Sequence, residues 1–275
     1  MAPNNLKLDE IGYWSEIKLD ILKKYAGAYT TILEKKGFHH AYIDGFAGAG
    51  QHISRRTGEF VAGSPLNALN VRPAFKEIHL IDMDSARAGE LRRISQDLPD
   101  VHVYEGDCNK ILLDQVFPRV RYEDYCRALC ILDPYGLQLD WTVIATAGKM
   151  KSVEIFLNFP VMHMNRNVLR RNPDKALDRD SELMTRFWGD SSWKDAAYSA
   201  AGNLFGEPEK EDNEALAEAF RKRLKEAAGF DRVPRPIPMR NQNGATIYYL
   251  FFASQVDVAE NIVLDIFNSY RQFGA

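Results

Sequence analysis

Cysteine is scarce in this 275-residue chain. There are three, an odd number at unpatterned spacing, which excludes a disulfide scaffold and leads us to expect reduced thiols. Cys126 and Cys130 form CxxxC, but the CxxxCxxC pattern of a radical cluster needs a cysteine where Asp133 stands; Cys130 therefore reads as a buried strand thiol, and no metal ligand set is expected. No apolar run approaches the ~20 residues of a membrane span. The opening MAPNNLKLDE has neither the basic n-region nor the apolar h-region of a secretory signal, so the expected location is cytoplasmic, without a membrane partner. An excess of one charge sign is missing too: 35 Lys and Arg stand against 38 Asp and Glu, for a net charge of -3. That excludes a uniformly basic nucleic-acid coat while permitting a local basic face. Internal repeats and low-complexity tracts are absent. With 45% hydrophobic and 27% charged residues, the chain can fill a core of ordinary globular kind.

Residues 11–36 place Ile11, Trp14, Ile17, Ile21, Tyr25, Tyr29 and Ile32 at three- and four-residue steps, with Gly37 behind them, which predicts one long amphipathic helix. The period then changes. Residues 41–44 form a short buried strand that empties into Gly45-Phe46-Ala47-Gly48-Ala49-Gly50, and an α/β fold places its ligand at such a turn. After the polar stretch 51–62, Ser64 and Pro65 read as the N-cap and first residue of a helix running to Asn70. Strand 77–82, helix 85–96, strand 101–105, helix 109–117, strand 128–133, helix 142–150 and strand 153–158 follow. Alternation of this kind means parallel βαβ units.

Residues 161–228 break the rhythm with helical segments, Trp188, Trp193 and an acidic turn at 206–212. They read as a helical insertion in a body made of 1–160 and 229–275. Pro234, Pro236 and Pro238 then recur at every second position. Successive N–H groups on a strand point to opposite sides, so these prolines delete donors from one side, which is tolerable on a sheet edge. The apolar stretch 245–254 is then the next strand in, and a helix over 258–270 closes the chain.

Four acids fall where chemistry is expected, each at the carboxyl end of a predicted strand: Asp44, Asp82, Asp107 and Asp133. Asp44 begins D-x-F-x-G-x-G, with Phe46, Gly48 and Gly50; this is not the G-x-G-x-x-G of dinucleotide folds, and a plain tight turn is the alternative. Asp82 is placed to hold ribose hydroxyls and Asp107 to accept from an adenine amino group, while helix capping competes at Asp84 and at Asp107.

Strand ends bearing DGFAGAG, LIDMD, EGD and LDPYG in this order resemble the class I S-adenosylmethionine-dependent methyltransferases. A closer set, running from about residue 12 to 272, resembles the three-Cys-motif partner (TcmP) family. It comprises an N-terminal helix with Trp14 and Lys18, YIDGFAGAG, GSPLNAL, GDCN, ILDPYG, LNFP and YYLFFAS. The resemblance implies a Rossmann-like α/β fold of seven strands, the last antiparallel and lying between the fifth and the edge strand. It implies S-adenosylmethionine as cofactor, held by Asp44, Phe46, Gly48, Gly50, Asp82, Asp107 and Cys108. It also implies a phage-associated, three-cysteine, iron-sulfur-like protein as partner, and action on nucleic acid.

In amino-methyltransferases an Asp/Asn-Pro-Pro-aromatic turn accepts the hydrogens of the target amine and stacks on its ring. By that resemblance Asp133, Pro134 and Tyr135 form the catalytic turn, with Tyr135 against the substrate; Asn158, at the end of the fifth strand beside the expected site, is a further candidate substrate contact. Here the second proline is absent and the aromatic comes one place early, so a cofactor-side or structural role for Asp133 and Tyr135 stands beside the catalytic one. His52, Arg55 and Arg56 on the polar stretch could reach a phosphate or simply be solvated. The same two readings apply to the basic groups at Arg166, Arg170 and Arg171, at 221–225, and at Arg232, Arg235 and Arg240.

Overall fold

The computed structural model describes residues 8–170, 177–199, 209–241 and 243–271. Its elements are, in order, β1 (Asp9–Ile11), α1 (Tyr13–Lys35), β2 (His39–Asp44), β3 (Gln51–Ser54), β4 (Phe60–Ala62), α2 (Ser64–Asn70), β5 (Glu77–Asp82), α3 (Ser85–Ile94), β6 (Val101–Glu105) and α4 (Cys108–Ile111). A π turn over Leu112–Val116 and a 3-10 turn over Phe117–Arg119 extend α4. Then come β7 (Cys126–Leu132), α5 (Trp141–Met150), β8 (Val153–Phe159), α6 (Val161–Asn167), α7 (Asp178–Trp188), α8 (Trp193–Ala197), β9 (Tyr198–Ser199), β10 (Glu209–Lys210), α9 (Asn213–Glu226), β11 (Ile237–Arg240), β12 (Thr246–Ala253) and α10 (Asp257–Arg271).

Seven strands form one sheet in the order β11-β12-β8-β7-β2-β5-β6. The five from β6 to β8 run parallel, and β12 pairs antiparallel with both β8 and β11. This is the Rossmann-like class I methyltransferase sheet, with its antiparallel strand between the fifth strand and the proline-bearing edge. β11 is the edge strand, paired with β12 alone; of the three prolines Pro238 lies on it, and Pro234 and Pro236 precede it. Chain order reverses between β2 and β7, so the connections leaving their carboxyl ends run to opposite faces of the sheet and leave a crevice.

Alternation along the strands divides the core into two layers. Ala41, Ile43, Cys130, Leu132, Ile155, Leu157 and Phe251 face α5 and the helices of 161–228. Tyr42, Leu129, Ile131, Phe156, Leu250 and Phe252 face α1 and α10. The aromatic residues of 161–228 join the first layer directly: the Phe220 ring lies 4.7 Å from Phe159 and 5.5 Å from Phe251. Cys130 is fully buried on β7, the strand thiol expected of it. Among the described residues no helix is long and apolar enough to cross a membrane.

Several local expectations are corrected. Helix α1 begins at Tyr13, and Ile11 belongs to β1. The stretch 51–62 is a β3–β4 hairpin that pairs with β1 in a separate three-stranded sheet. The N-cap of α2 is Gly63, without a side-chain cap bond; the Ser64 hydroxyl is bonded to Asp44 instead. Parts of the acidic turn (206–208) and Arg171 lie outside the described residues.

Candidate active site

Two cavities open at the carboxyl ends of the parallel strands. The larger, about 490 Å³, is lined by Lys18, Gly48, His52, Asp133, Asn158, His163 and Tyr248, among others. The smaller, about 50 Å³, is walled by Gly45, Asp82, Met83, Gly106, Asp107, Cys108 and Gln138. Phe46 and Tyr135 line both, so the two are one crevice pinched between these rings.

The crevice floor is built by backbone geometry. Gly48 has φ +65°, and a Cβ there would meet nothing within 4 Å, which leaves its backbone open to a ligand. Asp82 holds this turn: one carboxylate oxygen accepts from Gly48 N at 2.8 Å and the other from Asp84 N at 2.8 Å. Asp107 caps α4, accepting from Asn109 N and Nδ2 at 3.0 Å, and is itself exposed. Cys108 is buried in the wall, and burial pushes its thiol far above the usual range, so it is present as the neutral S–H.

Two of the glycine-motif residues stand off the cavity walls. Gly50, at φ +80°, packs against Ile94, Leu66 and Leu91. Asp44 is fully buried beneath the turn, where its carboxyl accepts from Phe46 N and Tyr42 Oη, both at 3.2 Å. Burial pushes Asp44 up to about 6, the Asp133 charge adds to this, and the bonds from Ser64 and Phe46 oppose it.

The larger cavity centres on Asp133. Its Oδ2 is paired with Lys18 Nζ, and its Oδ1 accepts from Asn158 Nδ2 at 2.6 Å. Burial works against the Lys18 charge, but the attraction of Asp133 outweighs it and holds the ammonium above the ordinary lysine range. Because Asn158 Nδ2 turns to the carboxylate, its Oδ1 faces away, and that atom has no hydrogen-bond partner among the described residues. The same is true of His52 Nδ1; burial, with Lys18 nearby, lowers this imidazole. The turn after Asp133 needs its glycine: Gly136 has φ +61°, and a Cβ there would lie 2.7 Å from His163 Cε1.

Tyr135 is 59% exposed and roofs the crevice. Arg87 on α3 donates to its hydroxyl at 3.1 Å and pairs with Asp9 of β1 at 2.9 Å, forming a bridge over the pinch. Pro134 lines the larger cavity beside Asp133.

The fold thus brings together Phe46, Gly48, Asp82, Asp107, Cys108, Asp133, Pro134, Tyr135 and Asn158. Sequence reasoning gave no role to Lys18, His163 or Tyr248. For Lys18 the signal was present, since it shares the buried face of α1 with Trp14, Ile21 and Tyr25 at helical spacing.

No family model matches the chain, and no curated protein matches it either. Solved structures do. LPL1258 of Legionella pneumophila, described by the family model DUF519, aligns over 94% of this chain and 92% of its own, at 13% identity and a TM-score of 0.55. The methyltransferase domain of bacterial CtHen1 aligns over 85% of this chain and 99% of its own, at 12% identity and a TM-score of 0.40. A SAM dependent methyltransferase from Aquifex aeolicus aligns over 88% and 98%, at 12% identity and a TM-score of 0.32. At 13% identity the likeness to LPL1258 concerns the fold alone.

Proposed function

We propose that the chain is an S-adenosylmethionine-dependent methyltransferase acting on a nitrogen of nucleic acid or of a base. One observation carries this reading. At the topological switch point, the Lys18–Asp133–Asn158 cluster lines a 490 Å³ cavity and leaves the buried Asn158 Oδ1, beside a carboxylate, without a partner among the described residues. Two acceptor oxygens so placed suit the N–H bonds of an amine. The strand order and the open backbone at Gly48 support the cofactor assignment. So does the set of strand-end acids.

The adenosyl part would lie between Asp82 and Asp107, where the cavity of about 50 Å³ has to widen to admit it, and the methionine part by Phe46 and Gly48. Bound there, the cofactor supplies an electrophilic methyl group on a sulfonium. Asp133 accepts an N–H of the acceptor and so localises the nitrogen lone pair, which is otherwise delocalised into a conjugated ring. Lys18 fixes that carboxylate in place, and Asn158 Oδ1 receives a second N–H. The nitrogen would gain the methyl carbon as the C–S bond breaks to leave S-adenosylhomocysteine, and Asp133 would take the proton that the methylated nitrogen loses. Tyr135 and Phe46 exclude water. Positioning and electrostatics are then the whole of the protein's contribution. The test is incorporation of labelled methyl from S-adenosylmethionine into DNA, RNA or base, with Asp133→Ala as control. Incorporation unchanged in that variant would overturn the role given to Asp133.

The Asp9–Arg87–Tyr135 bridge over a crevice of about 50 Å³ favours a second reading. In it the chain is a methyltransferase-fold module that a three-cysteine, iron-sulfur-like partner must open, as the TcmP-like motifs imply. Co-purification with such a protein, and transfer appearing on its addition, would distinguish this reading from an isolated enzyme.

A further inference from the structure

Four arginines of the late basic groups are neutralised internally: Arg221 pairs with Glu218 at 2.7 Å, Arg223 with Asp190 at 2.6 Å, Arg232 with Asp257 and Arg235 with Glu214. Arg55, Arg56 and Arg240 are held far less firmly. Arg55 stands 3.8 Å from Glu10, and Arg56 stands 3.7 Å from Glu16, whose carboxylate also receives the Ser54 hydroxyl at 2.6 Å; Arg240 donates to the Gly244 carbonyl at 3.2 Å.

All three line one groove of about 720 Å³, together with Tyr13, Trp14 and Glu10. The groove shares Ile11, Ser15, Ile247 and Tyr248 with the larger active-site cavity, so it leads directly to it. Tyr13 is 47% exposed on its rim and stands edge-on to Trp14 at 5.4 Å. In a chain of net charge -3, a groove whose three arginines face Glu10 on its wall and Glu16 behind Arg56 keeps a net positive charge.

We propose that this groove is the track of a single-stranded nucleic acid. Arg55 and Arg56, at the tip of the β3–β4 hairpin, and Arg240, at the end of the edge strand, take backbone phosphates. Tyr13 stacks a base, and the neighbouring nucleotide enters the cavity over Asp133. A loosely held guanidinium beside an exposed ring is the pairing that a strand of alternating phosphates and bases requires. An acidic protein would use the charge and leave the ring without purpose. A base inside a duplex is stacked and paired, and reaches a recessed carboxylate only once it is unstacked, which favours the single strand. What the bound nucleotide is presented to rests on the transfer reading above; the binding itself does not.

The test is fluorescence anisotropy with labelled DNA and RNA single strands of about 12 nucleotides, within the usual site size of such grooves. Polyglutamate serves as the acidic-protein probe, and thermal shift with S-adenosylhomocysteine is read on the same preparations. Replacing all three arginines by alanine should weaken strand binding at least about tenfold at low salt and reduce the salt slope by about 2. Lysine at the three positions should restore most of it, and Tyr13→Ala should cost about fivefold or more without changing the slope. The proposal is overturned if the triple variant binds as the wild type does, if the wild type binds neither strand, or if polyglutamate competes equally at these residues. Arginine-dependent strand binding with no response to S-adenosylhomocysteine would keep the groove and remove the transfer reading. A response to S-adenosylhomocysteine without strand binding would do the reverse.

Discussion

Asp44 is a fully buried carboxyl group placed under the glycine turn, and its ionisation should be legible as a loss of stability. Its pKa rises from 3.8 to about 6 on folding, chiefly through burial. An acid raised in this way binds its proton more tightly in the folded chain, so stability falls as pH climbs from about 4 to about 6 and levels off above. At about 1.4 kcal/mol per pKa unit, the cost of the charged form reaches about 3 kcal/mol at pH 8 and is about 0.5 kcal/mol at pH 4. Asp44→Asn removes the ionisation and keeps the geometry: the amide oxygen can accept from Phe46 N, and the amide nitrogen can donate to Tyr42 and Ser64. The variant should therefore gain on the wild type by about 2.5 kcal/mol between pH 4 and pH 8, whatever its starting offset, measured by urea unfolding at several pH values. In thermal melts the same gain is a relative rise of about 5 to 10 °C. It should also bind S-adenosylmethionine several-fold more weakly, since a negative charge beneath the turn is lost, the usual opposition between stability and function at a site. A difference that does not change with pH, or that grows toward acid, would refute the reasoning.

Gly148→Ala should destabilise by more than about 4 kcal/mol, because the new Cβ would lie 2.1 Å from the Ala228 carbonyl oxygen, a backbone atom that cannot step aside; urea melts check this. Lys18→Met should cut methyl transfer at least about tenfold while leaving the S-adenosylhomocysteine thermal shift in place, because the change touches the Asp133 side of the crevice. Unchanged transfer would remove Lys18 from the site. Arg87→Ala breaks the bridge to Asp9 and Tyr135, an exposed pair worth about 1 kcal/mol, so stopped-flow release of S-adenosylhomocysteine should quicken by about fivefold.

The sheet was readable because each of its determinants is local. Strands 77–82 and 101–105 match their expected bounds, and Pro234, Pro236 and Pro238 identified the edge before any pairing was known. Strand-end acids located the crevice for the same reason, since a parallel sheet delivers its loops to one end. What was not readable depends on partners distant in sequence. His52-Ile53 and Phe60-Val61 are too short to declare a hairpin, and they become strands because β1 supplies a parallel neighbour. Ser64 has the form of a cap, but a buried carboxyl at Asp44 competes for its hydroxyl. Lys18 and Asp133 are 115 positions apart, and nothing in either segment announces the other. The arginines looked alike in sequence and were separated by which acids the fold brought beside them.

The central claim is that the crevice between β2, β5 and β7 holds an adenosyl-sulfur cofactor. The most direct measurement is a thermal-shift titration with S-adenosylmethionine, S-adenosylhomocysteine, NAD and ATP side by side. At a hundred times its dissociation constant a ligand adds about 2.7 kcal/mol, a rise of about 5 to 10 °C for a chain near this size. That rise is expected with the two adenosyl-sulfur compounds and none with NAD or ATP. An equal rise with NAD, or no response to either adenosyl-sulfur compound, would contradict it.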